Sequence, residues 1–316
     1  MKKAFEKLNL RDYGVLLGFL ALCIAISIAT PSFLGKQNIL NLLRQSSIIG
    51  IISAGMTFVI ISGNFDISVG AVAALAGAIT MKFATGGTNL FASMLLGVAI
   101  CAVIGLINGI VVAKINVPSL IATMAMVTIV RGLLLMLTGG YPITENIPIL
   151  DYIGNGYLFN IPIPVVIFFI VVLASFIVLN KTKFGRYVYS VGGNQEASKL
   201  NGINVDSHKV KVFIINAVLA GIAGIVLTGR LGTATAIAGE GYDMDAIVSV
   251  VIGGTSVAGG SGSVLKTVIG VLLMSVINNS FNLLGIDVYF QYIFKGLIIL
   301  AAVGFDSYSK KKLASR

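Results

Sequence analysis

Apolar stretches close to membrane-spanning length recur along almost the whole chain, and they limit it to a membrane-embedded helical fold. A transmembrane helix needs about 20 consecutive apolar residues. About ten such segments are present, at 14–33, 45–62, 67–85, 91–113, 118–138, 162–180, 210–229, 244–258, 264–284 and 289–306. Hydrophobic residues make up 57% and charged residues 11% of the chain, whereas soluble domains carry about 25% charged residues. We therefore predict an all-α polytopic membrane protein with about ten transmembrane helices in one domain, residues 1–316.

The basic residues are unevenly distributed, and their positions predict the orientation of the chain. The formal net charge is +10, and cytoplasmic segments of membrane proteins collect lysine and arginine. Basic residues cluster at both ends and in the loop 181–211, at Lys2, Lys3, Lys7, Arg11, Lys181, Lys183, Arg186, Lys199, Lys209, Lys211, Lys310, Lys311, Lys312 and Arg316. The loop 139–161 has none. This pattern predicts cytoplasmic N- and C-termini and explains the charge without a nucleic-acid partner.

Residue types that build catalytic and metal centres are scarce. His208 is the single histidine, and Cys23 and Cys101 lie far apart in apolar segments. The glycine-rich stretch 260–267 resembles a phosphate-binding loop, but Leu265 occupies the position where the second glycine lets the backbone wrap a phosphate. We therefore expect no catalytic residues, no metal site and no cofactor in this chain.

A short polar interruption separates the second and third apolar segments. It contains Asn64, Asp66 and Ser68 beside Gly63, and flanking glycines favour a helix break or a tight turn. An aspartate at a helix start satisfies unpaired backbone amides, whereas an ionisable residue at membrane depth can line a conduit. Two interpretations stay open: Asp66 caps the third helix, or Asn64, Asp66 and Ser68 line a translocation path.

A second polar group interrupts the ninth segment. It consists of Asn278, Asn279 and Asn282, and the first and last of these share one helical face. Such amides either bond between membrane helices or line a water-filled path.

Four charged residues in or near other segments have ordinary interpretations. Asp243 and Asp245 open the eighth segment, where acidic residues complement a helix dipole. Arg131 and Lys295 are expected to reach an interface by snorkelling.

The basic loop is predicted to contain a short amphipathic helix within 191–203. Its apolar positions are Ala197 and Leu200, followed by Ile203, and Gly202 stands where glycine commonly ends a helix. A helix of this kind either lies on the lipid surface or docks into a groove on a soluble partner.

Motifs in a fixed order along residues 38–306 resemble a known transporter family. They are NILNLLRQ at 38–45, GMTFVI at 55–60, DISVG at 66–70, TKFGRY at 182–187, GGN at 192–194, GGTSVAGGSG at 253–262, NN at 278–279 and NLLG at 282–285. Together they resemble permease subunits of bacterial ATP-binding cassette importers of the ribose, xylose and galactoside type. The Glu-Ala pair at 196–197 and the Gly-Ile pair at 202–203 resemble the helix through which such permeases contact their ATPase.

The resemblance implies a type II-like importer permease with two inverted halves, at about 38–138 and 207–306. It implies a second permease copy (a homodimer, or a heterodimer with a paralogue), a cytosolic ATPase subunit that binds ATP and magnesium, an extracytoplasmic sugar-binding protein, and membrane lipids around the spans. The location is then the bacterial inner membrane, and the cargo is a small neutral monosaccharide such as ribose. The implied ATPase contacts are Gly193, Asn194, Glu196, Ala197, Leu200, Gly202 and Ile203.

One alternative and one departure accompany the resemblance. A proton-coupled sugar symporter, with Asp66 carrying the proton, would work without an ATPase. The coupling motif has Ser198 where the family commonly has a second alanine; serine is small enough for the same position.

Overall fold

A computed structural model describes residues 10–314, so Lys2, Lys3, Lys7 and Arg316 of the predicted topology signal lie outside the described residues. The helices are α1 (Leu10–Ala29), α2 (Lys36–Ile61), α3 (Val69–Thr85), α4 (Leu90–Ala113), α5 (Ser119–Thr138), α6 (Pro148–Asn155), α7 (Ile163–Lys181), α8 (Lys183–Gly193), α9 (Gln195–Leu200), α10 (Val205–Leu231), α11 (Tyr242–Ile252), α12 (Val264–Leu283) and α13 (Val288–Ala314). A 3-10 helix, Pro31–Leu34, lies between α1 and α2. Two antiparallel pairs of two-residue strands are also present: β1 (Ile143–Thr144) with β4 (Thr233–Ala234), and β2 (Tyr157–Leu158) with β3 (Ile161–Pro162).

Helix α2 is the least apolar of the six described helices that are long and apolar enough to cross a membrane, and it is the most deeply buried of them. Nearly every side chain of α2 from Ser46 to its end is buried. Its hydroxyl groups donate to carbonyls one turn earlier, for example Ser53 to Ile49 at 2.8 Å and Thr57 to Ser53 at 2.7 Å. Hydroxyls satisfied in this way lie inside a membrane protein at low cost. By contrast α7 is apolar all round and mostly unburied, as expected of a helix that faces lipid.

Small residues let the helices around α10 approach closely. This helix packs against α2, α3, α4 and α6. A Cβ added to Gly105 or Gly109 of α4, or to Gly224 of α10, would come into severe contact with the facing backbone. Small residues at such contacts are the usual means of helix association in membranes, where burial of apolar surface gives little driving force. Much of the glycine content is therefore explained by packing.

Six of the described helices are long and apolar enough to cross a membrane: α2, α4, α5, α7, α10 and α12. Helix α3 and the described apolar part of α1, Leu17–Ala29, are shorter. The chain is therefore a multi-pass helical protein.

One of the predicted spans is wrong in extent. The segment 244–258 is helical only within Tyr242–Ile252, and 11 residues at 1.5 Å per residue extend about 16 Å, half of the roughly 30 Å hydrocarbon layer. Glycines 253 and 254 end the helix, and Gly254 has a φ of 88° that a helix does not accept.

The chain after α10 turns back along α3 instead of leaving the bundle. Gly77 of α3 meets Thr228 of α10, and Gly70, seven residues earlier in α3, meets Gly239. Seven helical residues correspond to about 10 Å. We call residues 232–241 the re-entrant segment. Before α11 begins, this segment runs about 10 Å back along α3, from the level of Gly77 to the level of Gly70.

Candidate functional site

Short helix α9 is formed by local capping, as its sequence predicts. The Asn194 side chain accepts a hydrogen bond from the Ala197 amide at 2.9 Å, which makes it the N-cap. Gly202 adopts a φ of 76° just beyond the helix, the left-handed conformation of a helix end. Residues 193–203, the α9 segment, thus form a defined protrusion between α8 and α10.

The α9 segment is anchored by hydrogen bonds on one side and exposes the apolar side chain of Leu200 on the other. The buried Ser198 hydroxyl lies 2.9 Å from the Ser190 hydroxyl, which explains how serine is accommodated in place of alanine. Lys209 of α10 donates to the Gln195 amide oxygen at 2.9 Å. On the outer side Leu200 is 90% exposed, and an apolar side chain so placed suits a docking contact.

The remaining predicted contact residues surround this exposed leucine. Gly193, Asn194, Glu196, Ala197 and Gly202 are exposed, and Ile203 is half-buried. Glu196 pairs with Lys199 at 3.6 Å, with most of both side chains in solvent.

Backbone contacts join α8 to two distant parts of the chain. The Gly260 amide donates to the Ile61 carbonyl at 2.8 Å, and Gly192 lies against both residues. The Tyr189 hydroxyl donates to the Gly262 carbonyl at 3.0 Å. We call this meeting of 61–63, 189–193 and 258–262 the glycine junction. The glycine junction therefore places α8, which directly precedes the α9 segment, against the end of α2 and the loop before α12.

Asp66 and Ser68 of the first polar interruption join a buried hydrogen-bond network. Asp66 accepts from the Ser68 amide at 2.9 Å, the Ser68 hydroxyl at 2.5 Å and the Asn216 side chain at 2.9 Å. Asn108 donates to the Ser68 hydroxyl at 3.0 Å, and Asn64 bonds locally to Ser62. All are buried. The network links the start of α3 to α4 and α10. The sequence analysis does not identify the amide partners Asn108 and Asn216, although each is an asparagine inside an apolar segment.

The second polar group is divided among three separate contacts. Asn279 and Asn38 exchange amide hydrogen bonds of 3.0 and 2.8 Å. Asn282 accepts from Gln291 at 3.2 Å. Asn278 donates to Asp245 at 3.4 Å.

Lys295 and Arg131 bond inside the protein, so their assignment as snorkelling side chains is wrong. Lys295 pairs with Asp245. Arg131 donates to the carbonyls of Ala236 and Ala238, the latter at 3.1 Å, and so holds the re-entrant segment. Each side chain finds an acceptor inside the protein, the Asp245 carboxylate for Lys295 and backbone carbonyls for Arg131. These acceptors are distant in sequence, so sequence patterns do not reveal them.

The chain is similar over nearly its full length to permease proteins of sugar transport systems. The chain is 43% identical over 303 residues to the ribose import permease protein RbsC of Haemophilus influenzae, covering 93% of this chain and 94% of that protein. It is 39% identical to RbsC of Escherichia coli K12, with 97% of each chain covered. The xylose transport system permease protein XylH of Haemophilus influenzae is 33% identical, with 98% of this chain and 99% of XylH covered. No solved structure gives a significant match.

The family comparison covers the same region as the motifs that run from residue 38 to 306. Residues 38–303 match the model of a family described as branched-chain amino acid transport system / permease component. This region includes α2 through most of α13, with the α9 segment, the glycine junction and both polar groups. The chain belongs to this family of transport-system permease components.

Proposed function

We propose that this chain is the transmembrane permease subunit of a bacterial ATP-binding cassette importer that moves ribose or a related small neutral monosaccharide into the cytoplasm. The observation that carries the proposal is identity of 39–43% across nearly the full length to proteins whose names specify ribose import. The chain is a transport subunit, and ATP with its magnesium belongs to a separate ATPase subunit. An extracytoplasmic sugar-binding protein and a second permease copy complete the assembly.

The α9 segment is the proposed contact with the ATPase. Its exposed Leu200 and Glu196 suit a groove on a soluble partner, in the way that short helices dock by one apolar anchor and a polar rim. Its hydrogen bonds to Ser190 and Lys209 let it move as a unit with α8 and α10. Movement of the nucleotide-binding subunits would therefore reach the spans through the glycine junction.

The two halves of the chain repeat one arrangement, which supports inverted repeats at 38–138 and 207–306. In each half a long helix (α2, α10) precedes an irregular segment and a short helix (α3, α11), followed by two longer helices. Asp66 lies just before α3 and bonds through Ser68 to Asn108 of α4. Asp245 lies in the first turn of α11 and bonds to Asn278 of α12. An inverted pair of this kind is the common basis of alternating access.

The topology we propose has ten apolar helices, with the termini and the α9 segment in the cytoplasm. Its support is the basic loop 181–211 and the absence of lysine and arginine from 139–161. In this orientation the glycine junction is cytoplasmic, and α6 with the β1–β4 pair is extracytoplasmic.

The residues first proposed for the path, Asn64, Asp66, Ser68, Asn278, Asn279 and Asn282, connect helices to one another. We propose that they act on the path by holding those helices in register during alternating access. Their partners lie on α2, α4, α10, α11 and α13 as well as on their own segments.

Reconstitution tests the proposal. The tagged chain, expressed from its native operon and purified in detergent, should recover an ATPase and a sugar-binding protein, and proteoliposomes with all three should take up ribose only with ATP. Uptake by the chain alone under a pH gradient, without ATP, would overturn the importer and support a symporter.

A further inference from the structure

A cavity of about 700 Å³ lies where the re-entrant segment meets the start of α3. Its walls come from α3, α5, the re-entrant segment, the first turn of α11, and Tyr292 of α13. A Cβ on Gly70 would overlap the Gly239 carbonyl, so these two backbones touch, and both glycines line the cavity. The cavity is therefore formed by both halves of the chain.

The cavity is open on one side, where Thr128 and Glu240 are exposed, and it lies part of the way along the bundle. Gly70 is about 10 Å along α3 from Gly77, which itself faces Thr228 near the end of α10. Helix α11 starts at this depth and extends only about 16 Å. Cavities at the start of interrupted helices near the midplane are a frequent place for transported solutes in membrane proteins.

The lining combines hydrogen-bond donors and acceptors. Arg131, Thr128 and Tyr292 provide N–H and O–H donors, and Glu240 and Asp243 provide carboxylate acceptors. Arg131 lies within electrostatic range of both carboxylates. One guanidinium beside two carboxylates leaves a formal charge of −1, which disfavours an anionic solute. The donors and acceptors of the lining match the hydroxyl groups of a neutral sugar.

A charged side chain inside a membrane costs free energy unless it is paired or faces a water-filled cavity. Arg131 holds the re-entrant segment through the Ala236 and Ala238 carbonyls, which sets the adjacent Glu240 and Asp243 at the cavity. The six residues first proposed for the path make their hydrogen bonds between or within helices. The cavity residues are thus the better placed group to touch a solute.

We infer that this cavity is a sugar-contacting subsite, in which Glu240, Asp243 and Thr128 hydrogen-bond to hydroxyl groups of the passing monosaccharide. The inference rests on the proposed importer function. Glu240 of the re-entrant segment, Asp243 of α11 and Thr128 of α5 then contact the sugar. Arg131 is a positioning residue, because it holds the re-entrant segment in place.

Three variants test the subsite in proteoliposomes that contain the full complex. Glu240→Gln, Asp243→Asn and Thr128→Val each remove one hydrogen-bonding group with little change of shape. Asp287→Asn is the matched control, because this exposed carboxylate caps the Tyr289 amide away from the cavity and asparagine keeps that role. We expect ribose uptake to fall about tenfold or more in Glu240→Gln and Asp243→Asn, while the loaded binding protein still stimulates ATP hydrolysis.

Cysteine labelling gives a second readout that does not depend on lost activity. In a Cys23→Ala background, where Cys101 is fully buried, Thr128→Cys is labelled by a small polar thiol reagent, and Met136→Cys on the same helix serves as the control. Met136 is 82% exposed and does not line the cavity. We expect turnover with ribose to slow labelling of Thr128→Cys several-fold and to leave Met136→Cys unchanged.

The outcomes separate the subsite from the function. Unchanged uptake in all three variants, or no protection of Thr128→Cys, overturns the subsite while wild-type ATP-dependent uptake upholds the importer. Loss of ATPase stimulation together with uptake also overturns it, since the side chains would then support docking instead of solute contact. Failure of the wild-type complex to take up ribose overturns the proposed function itself.

Discussion

Lys295 of α13 and Asp245 of α11 form an ion pair, with 2.8 Å between the lysine Nζ and the aspartate Oδ1. The lysine side chain is 21% exposed and the aspartate side chain 6% exposed. Asn278 donates to the same carboxylate from α12. A buried carboxylate thus joins three helices, and the half-length α11 is held in place by it.

Replacement of the lysine should therefore destabilise the protein strongly. In Lys295→Met, Asp245 remains buried without its cation, and removal of one partner of a buried pair costs about 3–5 kcal/mol. The measurement is the thermal unfolding midpoint in detergent, followed by circular dichroism. The double variant Asp245→Asn/Lys295→Met should recover much of this loss because no charge stays buried. A single variant as stable as wild type would contradict the proposed role of the pair.

The glycine junction should tolerate no side chain at residue 192. A Cβ there would overlap the Ile61 carbonyl oxygen, and this backbone atom already accepts from Gly260. Gly192→Ala should lower stability by about 1–3 kcal/mol, the usual cost of overpacking. Gly193→Ala is the matched control, because the nearest atom to its Cβ would be 3.9 Å away. Equal unfolding midpoints for the two variants would show that the junction is not tightly packed.

The exposed acidic residue of the α9 segment should separate coupling from stability. Glu196→Lys should abolish ATP-dependent uptake, because it reverses the charge on the proposed ATPase contact. Its unfolding midpoint should hardly change, since an exposed ion pair such as Glu196–Lys199 is worth about 1 kcal/mol or less. The controls are co-purification of the ATPase and Lys199→Ala, which breaks the same ion pair without adding positive charge. Normal uptake by Glu196→Lys would remove this residue from the proposed contact.

Asp66 distinguishes the importer from a proton-coupled symporter. In Asp66→Asn one acceptor oxygen becomes a donor facing Asn216 or Ser68, so we expect a stability loss of about 1–3 kcal/mol. The protein that remains folded should still take up sugar with ATP, because the importer requires no proton at this position. Uptake rates per folded molecule should be compared with those of Asn216→Ala, which disturbs the same network but keeps the carboxylate. Selective loss of uptake in Asp66→Asn would favour the symporter.

Local sequence patterns predicted most of the helical framework. The long apolar segments correspond to helices because backbone groups in a membrane must bond within their own segment. The helix break around Gly63 and the short helix ended by Gly202 were likewise predictable, since glycine and capping asparagine act within a few residues. The extent of the eighth segment was wrong because its apolar composition continues past the backbone turn at residues 253 and 254.

Contacts between distant residues depended on the tertiary structure. No spacing rule indicates that Asn216 lies beside Asp66, that Lys295 reaches Asp245, or that Arg131 binds the re-entrant segment. Composition determines that a segment is apolar enough for the membrane, whereas the partners of its few polar atoms depend on how the helices are arranged. For the same reason the cavity between α3 and α11 follows from the path of residues 232–241, which only packing against α3 defines.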